Sequence, residues 1–297
     1  MEIQIIAKEF YDYSVYFKGY SKQTIKRYKY VIDLYCKLSG VQFITDVSVE
    51  NVRSIFFIGR TERNWTTNTS VVHHKSLLVF FRWCKTKGYM EFNPIESIDR
   101  PRIEQKLPKK LTKQDALRLL EIVYNYPYTN KFLRYRNHAI FSTFVFAGLR
   151  KNELLHLKYA DVDLDNMTLF INQGKGAKDR FVPISQTLAK SLRFYLEERR
   201  RCNKSCPEFF TSFVQNKGFT ENGLKHFVDI IQPIFGMPFT VHKLRHTFAT
   251  LMLEGGCDIY SLSKMMGHSD IKVTTVYLYA SAEHLRSQIV KHPMNEF

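Results

Sequence analysis

No apolar run in the 297 residues approaches the roughly 20 needed to cross a bilayer as a helix, so a membrane-spanning helix is not expected. The opening segment, MEIQIIAKEF, lacks a long apolar centre and is interrupted by Glu2 and Glu9, so it does not read as a secretory leader. Cysteine is scarce: Cys36, Cys84, Cys202, Cys206 and Cys257 are odd in number and scattered. They form no disulfide framework, and reduced thiols suit the cytoplasm. Cys202 and Cys206 stand four apart, but no second pair with zinc-ligand spacing follows, so no metal or other cofactor is expected. Repeats and low-complexity tracts are absent.

Acidic residues are also in short supply. Asp and Glu number 28 against 44 Lys and Arg, a formal charge of +16. Such an excess self-repels in a compact fold unless a polyanion is near. Nucleic acid is the default partner, because its phosphates release counterions to Lys and Arg on binding. Charge alone leaves an ordinary basic protein open. Apolar residues at 44% and aromatics at 14% support packed cores rather than disorder. The length suits two domains.

The clearest seam is DRPRIEQKLPKKL, Asp99 to Leu111, where Pro101 and Pro108 disfavour continued helix. The expected division is a helical domain over 1–100, a basic linker over 101–111 and a second domain over 112–297. Before the seam, Glu2 to Lys18, Lys22 to Leu38, Val49 to Ile58 and Asn68 to Lys85 read as helices, with Ser21 and Ser48 as N-caps. The second of these carries Lys22, Lys26, Arg27 and Lys29. With Lys109 and Lys110 of the linker and Lys178 further on, these are the candidate DNA-backbone contacts. After the seam, Thr112 to Asp115 opens a helix through Val123 as a capping box. Arg136 to Ala147 is an apolar helix broken by Gly148. Thr168 to Asn172 and Arg180 to Ile184 read as a hairpin with Gly174-Lys175-Gly176 in its turn. From Leu188 onward the pattern is helical.

Four segments carry the chemistry: AGLRKNELLHL at 147–157, GKGAKDRFVPI at 174–184, HKLRHTFAT at 242–250 and MMGHSDIKVTTVYLYAS at 265–281. Taken singly, each has a plain structural explanation. His242 and His246 have the spacing of a helical metal pair, but no Glu follows the first His, so a zinc-protease site fails. His246 reads as a packed or hydrogen-bonded residue, and Glu153 as a structural residue that orients an arginine. In order and spacing, the four segments together resemble the tyrosine recombinase (phage integrase-like) family, and the two-domain Xer-like members in particular.

The resemblance implies a mainly α fold with a small β-sheet: a SAM-like helical core-binding domain and a mixed α/β catalytic domain, closing on DNA as a C-shaped clamp. It implies Arg150, Lys175, His242, Arg245, His268 and Tyr277 as catalytic residues, with Tyr277, nine residues beyond His268, as the nucleophile in preference to Tyr279. The residue types suit the reaction. Two guanidiniums stabilise the charge that develops on a phosphorane. A phenol is both an acidic enough nucleophile and a good leaving group on the return step. His242 is expected to handle the phenolic proton and Lys175 to protonate the departing 5′-oxygen.

The implied function is site-specific recombination through a 3′-phosphotyrosyl intermediate and a Holliday junction, without metal or ATP. The implied partners are double-stranded DNA with short inverted repeats and a homotetramer on two sites, possibly with a related recombinase, with no membrane. The tail SAEHLRSQIVKHPMNEF, with Leu285, Ile289 and Val290 on one face, is expected to pack on a neighbouring protomer. No arm-binding module is expected before the first helix. A cytoplasmic, nucleoid-associated protein of prokaryotic or mobile-element origin follows. Two alternatives stand beside this: a type IB topoisomerase-like enzyme, and a non-catalytic DNA-binding regulator on the same fold. Adduct formation on a nicked substrate separates the regulator from the enzymes, and relaxation of site-free plasmid would favour the topoisomerase.

Overall fold

The computed structural model of the chain describes residues 1–102, 108–172, 179–268, 270–280 and 289–290. The chain divides into two compact units, Met1–Gln105 and Lys106–Phe297.

The first unit holds four helices: α1 (Ile3–Tyr16), α2 (Lys22–Ser39), α3 (Val49–Thr61) and α4 (Thr67–Thr86). The expected caps are in place. The Ser21 hydroxyl accepts from the Thr24 amide, and Ser48 and Asn51 form a reciprocal capping box. Such caps satisfy amides that have no partner within the helix. Ile3, Phe10, Tyr35, Leu77, Phe80 and Phe81 form the core of this unit. Phe10 meets Phe80 edge-on at 5.3 Å, and the Tyr35 hydroxyl donates to Asn51 Oδ1 at 2.8 Å, tying α2 to α3. With Tyr28, Val31, Ile32 and Tyr35 buried, the opposite side of α2 leaves Lys22, Lys26, Arg27 and Lys29 exposed.

The second unit runs α5 (Lys113–Asn125), α6 (Lys131–Ala147), α7 (Lys151–Leu155), β1 (Val162–Asp163), β2 (Thr168–Ile171), β3 (Arg180–Pro183), α8 (Gln186–Arg201), α9 (Glu221–Phe235), α10 (Val241–Glu254), α11 (Ile259–Met266) and α12 (Lys272–Ala280). The strands form one antiparallel sheet in the order β1-β2-β3, with Leu169 opposite Val182 and Ile171 opposite Arg180. The hairpin is therefore present. Its turn, with Lys175 and Lys178, lies outside the described residues.

Three features depart from the sequence reading. Helix α6 starts at Lys131, capped by Asn130, rather than at Arg136. The polar stretch around Arg136 continues the helix because the guanidinium is satisfied inside the protein, donating to Asn137 Oδ1 and to the Thr211 carbonyl. A third strand, β1, is present; two residues are too short to show a period. Residues 202–220 are irregular instead of helical, and they pair through isolated bridges of Glu208 with Lys158 and Gly218 with Thr211. Phe209 and Phe210 of this stretch are nonetheless buried against Tyr195 of α8.

Two apolar clusters result. The larger centres on α6, with Phe132, Phe141 and Phe144, and takes in Tyr195 and Phe239. The smaller joins Phe248, Ala249 and Leu253 of α10 to Leu262 and Met266 of α11 and Tyr277 of α12. Lys109 is exposed, whereas Lys110 is ion-paired with Glu254 of α10, and the Leu111 amide donates to Thr247 Oγ1 at 2.9 Å. Of the two linker lysines named as candidate DNA contacts, Lys109 is thus open to solvent and Lys110 is partly covered by its pairing with Glu254. Among the described residues, no helix is long and apolar enough to cross a membrane.

Candidate active site

Two left-handed glycines set the floor of the site. Gly148 ends α6 at φ +60°, and Gly267 ends α11 at φ +65°. An added Cβ at Gly148 would lie 2.2 Å from the Phe248 ring, and one at Gly267 would lie 2.8 Å from the Arg180 guanidinium. Only glycine meets both the backbone angle and the close approach. Each glycine turns its carbonyl onto an arginine: Gly148 O accepts from Arg245 Nη1 at 2.6 Å, and Gly267 O accepts from Arg150 Nη2 at 2.7 Å.

One carboxylate links the cations. Glu153, one turn into α7 and only 6% exposed, accepts from the Arg150 amide and from Arg150 Nη1 at 2.7 and 2.6 Å. It also accepts both Nη groups of Arg180, each at 2.9 Å, in a two-pronged pair. Arg245 Nη1 lies 3.9 Å from the same carboxylate. Burial alone would push this carboxyl upward, but the Arg180 pair and then the Arg150 contacts outweigh it and hold its pKa at about 2. Arg180 is pinned further by donating from Nε to the Met265 carbonyl at 2.7 Å.

Arg245 is buried on α10, and its Nη2 donates to the Met266 carbonyl at 2.6 Å. Burial, with Arg150 beside it, lowers its pKa to about 10, so it stays charged at neutral pH. Among the described residues, its contacts with Gly148, Met266 and His268 use three of the five N–H donors a guanidinium carries.

His268 joins the arginine to α12. Its Nε2 lies 3.2 Å from Arg245 Nη2, and its Nδ1 lies 2.7 Å from Thr274 Oγ1. A guanidinium can only donate, so Nε2 accepts and Nδ1 carries the proton. Burial, then Arg245, Arg150 and Arg180, lower the imidazole pKa to about 4, so the ring is neutral at pH 7. On α10, His242 and His246 stack edge to face at 4.4 Å. His246 Nδ1 lies 2.7 Å from the Tyr277 hydroxyl. Burial, then His242 and Arg245, bring its pKa to about 4. Tyr277 is 3% exposed, and burial raises its phenol pKa against the lowering pull of Arg245 and Arg150.

A cavity of about 930 Å³ opens over this floor, lined by Arg150, Lys151, Asn172, Thr240, His242 and Arg245 among others. Tyr277 does not line it; the phenol stands behind the His242–His246 pair. Among the described residues, no group of three His, Cys, Asp or Glu side chains is placed to hold a metal ion.

Of the six residues expected at the site, five come together: Arg150, His242, Arg245, His268 and Tyr277. Lys175 lies outside the described residues. The partner of the phenol differs from the expectation, being His246 rather than His242. Arg180 was missed, although its signal was available. On β3 it shares a face with buried Val182, so a basic residue was being sent inward. Thr274 was missed as well, because a lone threonine in a helix announces nothing.

Guanidiniums converging beside a phenol and neutral imidazoles define a centre suited to phosphoryl transfer. The chain belongs to the phage integrase family, whose pattern matches residues 109–284. It is a tyrosine recombinase, an enzyme that cuts and rejoins DNA at specific sites. It is 33% identical to the tyrosine recombinase XerA of Thermococcus kodakarensis over 91% of this chain and 89% of that one. It is 30% identical to the tyrosine recombinase XerD of Listeria monocytogenes over 95% and 96%. Its fold is similar to that of XerH bound to a palindromic difH substrate in a post-cleavage complex (TM-score 0.74, 22% identity, 90% of this chain and 79% of that one). It is also similar to a lambda integrase dimer bound to a COC′ core site (TM-score 0.74, 16% identity, 93% and 95%).

Proposed function

We propose that Tyr277 is the nucleophile and that Arg150 and Arg245 hold the scissile phosphate between them. The observation that carries this reading is that both guanidiniums, each aligned by a glycine carbonyl, line one cavity whose adjoining imidazole pair leads to the phenol. Tyr277 Oη attacks phosphorus, the bond to the 5′-oxygen breaks, and a 3′-phosphotyrosyl link forms. The 5′-hydroxyl of the partner strand reverses the step, so the backbone bond energy is conserved and ATP is not needed.

His268 fixes Arg245 rather than moving protons, since both its nitrogens are already engaged. Lys175 protonates the leaving oxygen, as the family resemblance implies. Duplex DNA carrying short inverted repeats is the substrate, four copies act on two sites through a Holliday junction, and the tail beyond α12 links neighbours. The exposed Lys22, Lys26, Arg27, Lys29 and Lys109 contact DNA phosphates, with Lys178 at the hairpin. The cell compartment is the cytoplasm.

The test is a nicked suicide duplex containing the cognate site. Wild-type protein forms a covalent adduct, and Tyr277→Phe binds the duplex but forms none. An adduct from Tyr277→Phe would remove the assignment. Deleting Ser287 to Phe297 leaves single-site binding and weakens synapsis on native gels; unimpaired recombination by the truncated chain would remove the role of the tail.

A further inference from the structure

We propose that His246 is the group that takes the phenolic proton of Tyr277 during strand cleavage, while His242 faces the DNA phosphate. The inference rests on Tyr277 being the nucleophile. Its basis is a division of position between two imidazoles one helical turn apart. His242 is exposed and lines the cavity, whereas His246 sits behind it in contact with the phenol oxygen at 2.7 Å. A proton acceptor must reach the reacting atom before anything else is asked of it. Between neutral partners, a phenol is the more acidic donor, so the hydroxyl donates and Nδ1 accepts.

The charges around His246 make this acceptor dependent on substrate. On α10 it faces His242 and Arg245, and on α12 it faces Tyr277. Without DNA, burial first, then His242 and the Arg245 guanidinium, keep the ring neutral and a weak base. A phosphate entering the cavity offsets that positive field, and the phosphorane adds further negative charge, so the ring's affinity for a proton rises as attack begins. The Tyr277 Oη–phosphorus bond forms as the phosphorus–5′-oxygen bond breaks. The phenolic proton goes to His246 Nδ1, and the departing 5′-oxygen takes a proton from the separate acid at Lys175. On rejoining, the imidazolium returns its proton to the phenol as the phenol leaves.

Single-turnover adduct formation by the full chain tests this, with His246→Ala and His246→Gln on the nicked duplex and on the same duplex bearing sulfur in place of the bridging 5′-oxygen. Sulfur leaves without a general acid, so it rescues defects in leaving-group protonation but not in activation of the phenol. We expect both variants to bind DNA and to lose about 100-fold or more in cleavage rate, with no rescue by sulfur. Residual cleavage should rise about tenfold per pH unit above neutrality, as hydroxide substitutes for the lost base, against a flatter wild-type profile. Cleavage at or above the wild-type rate in a variant that binds DNA overturns the proposal. So does a loss that sulfur restores, or a loss whose pH profile parallels wild type. An adduct from Tyr277→Phe would instead remove the nucleophile assignment, so the two failures are distinct.

Discussion

The arginine floor and the tyrosine helix of the second unit are built on different principles. On the floor, Arg150, Arg180 and Arg245 are each held by at least two fixed acceptors: one shared carboxylate and the carbonyls of Gly148, Met265, Met266 and Gly267. Backbone carbonyls at the ends of packed helices leave little freedom, so this half is shaped before any substrate arrives. On α12, among the described residues, Tyr277 is held by a small apolar cluster and one side-chain hydrogen bond to His246, and Thr274 by one to His268. Anchors so few are exchanged at modest cost. The contrast teaches that electrostatic stabilisation is rigid here, while delivery of the nucleophile is adjustable. Preorganised charge earns most of its catalytic effect from not having to move.

The strongest test of the rigid half is Arg245→Ala. It removes a charge from the floor and leaves the Gly148 and Met266 carbonyls without their donor, at a cost of about 1–3 kcal/mol for each buried unpaired group. Cleavage on the suicide duplex is expected to fall about 1000-fold or more, while DNA binding measured by gel shift falls modestly, because many other cations supply affinity. Cleavage within tenfold of wild type would break the comparison.

Next in size is Glu153→Gln, which keeps the shape and removes the shared charge. Cleavage is expected to drop about 100-fold as the arginines lose their common anchor, and breaking the buried pairs should cost about 3–5 kcal/mol in chemical unfolding. The pH dependence carries a defined sign. The folded carboxyl titrates at about 2 against an ordinary 4.5, so its stabilisation is present above pH 4.5 and is lost as pH falls toward 2. The linked stability is about 3 kcal/mol. His246 and His268, neutral in the fold down to about pH 4 against an ordinary 6.5, destabilise the fold as pH drops from 6.5 to 4, because the unfolded chain takes up protons first. Acid unfolding should therefore show two windows, and Glu153→Gln should erase only the lower one. Identical acid titrations of variant and wild type would refute the shared-anchor account.

The smallest effect is expected on the adjustable side. Thr274→Val removes the acceptor of His268 Nδ1, for about 1–3 kcal/mol, and loosens the link from α12 to Arg245. Amide exchange should quicken in α12 and stay unchanged in α6. Equal quickening of both helices would mean that the two halves are one cooperative unit and not the contrasting pair described.

Much of this arrangement was legible in the sequence, because residues whose chemistry is demanding are spaced by the elements that carry them. Arg150 two residues after a helix-ending glycine, His242 and Arg245 within one helix turn, and Tyr277 nine residues beyond His268 were all readable. The helices of the first unit were readable too, since their caps and apolar periods agree, as at Ser21 and Ser48. What stayed hidden depends on long-range pairing. Arg180 becomes part of the floor only because β3 turns it onto Glu153, and the register of a hairpin is set by strand pairing rather than by local spacing. His246 and His242 look equivalent in sequence; half-burial of the first and exposure of the second sort them. The stretch 202–220 falls inside the helical pattern expected from Leu188 onward, and its irregular course is fixed by long-range contacts such as the packing of Phe209 and Phe210 against Tyr195.

The single carboxylate among three guanidiniums has a consequence for what the site recognises. Setting Glu153 against Arg150, Arg180 and Arg245 leaves two uncompensated positive charges, and the neutral imidazoles add none. A resting phosphodiester brings one negative charge, whereas the five-coordinate species brings two. The arginine–glutamate floor thus matches in charge the five-coordinate dianion rather than the resting phosphodiester, the phenolic proton having passed to His246 behind it, which makes the floor a better fit for a dianion in flight than for the DNA it first meets.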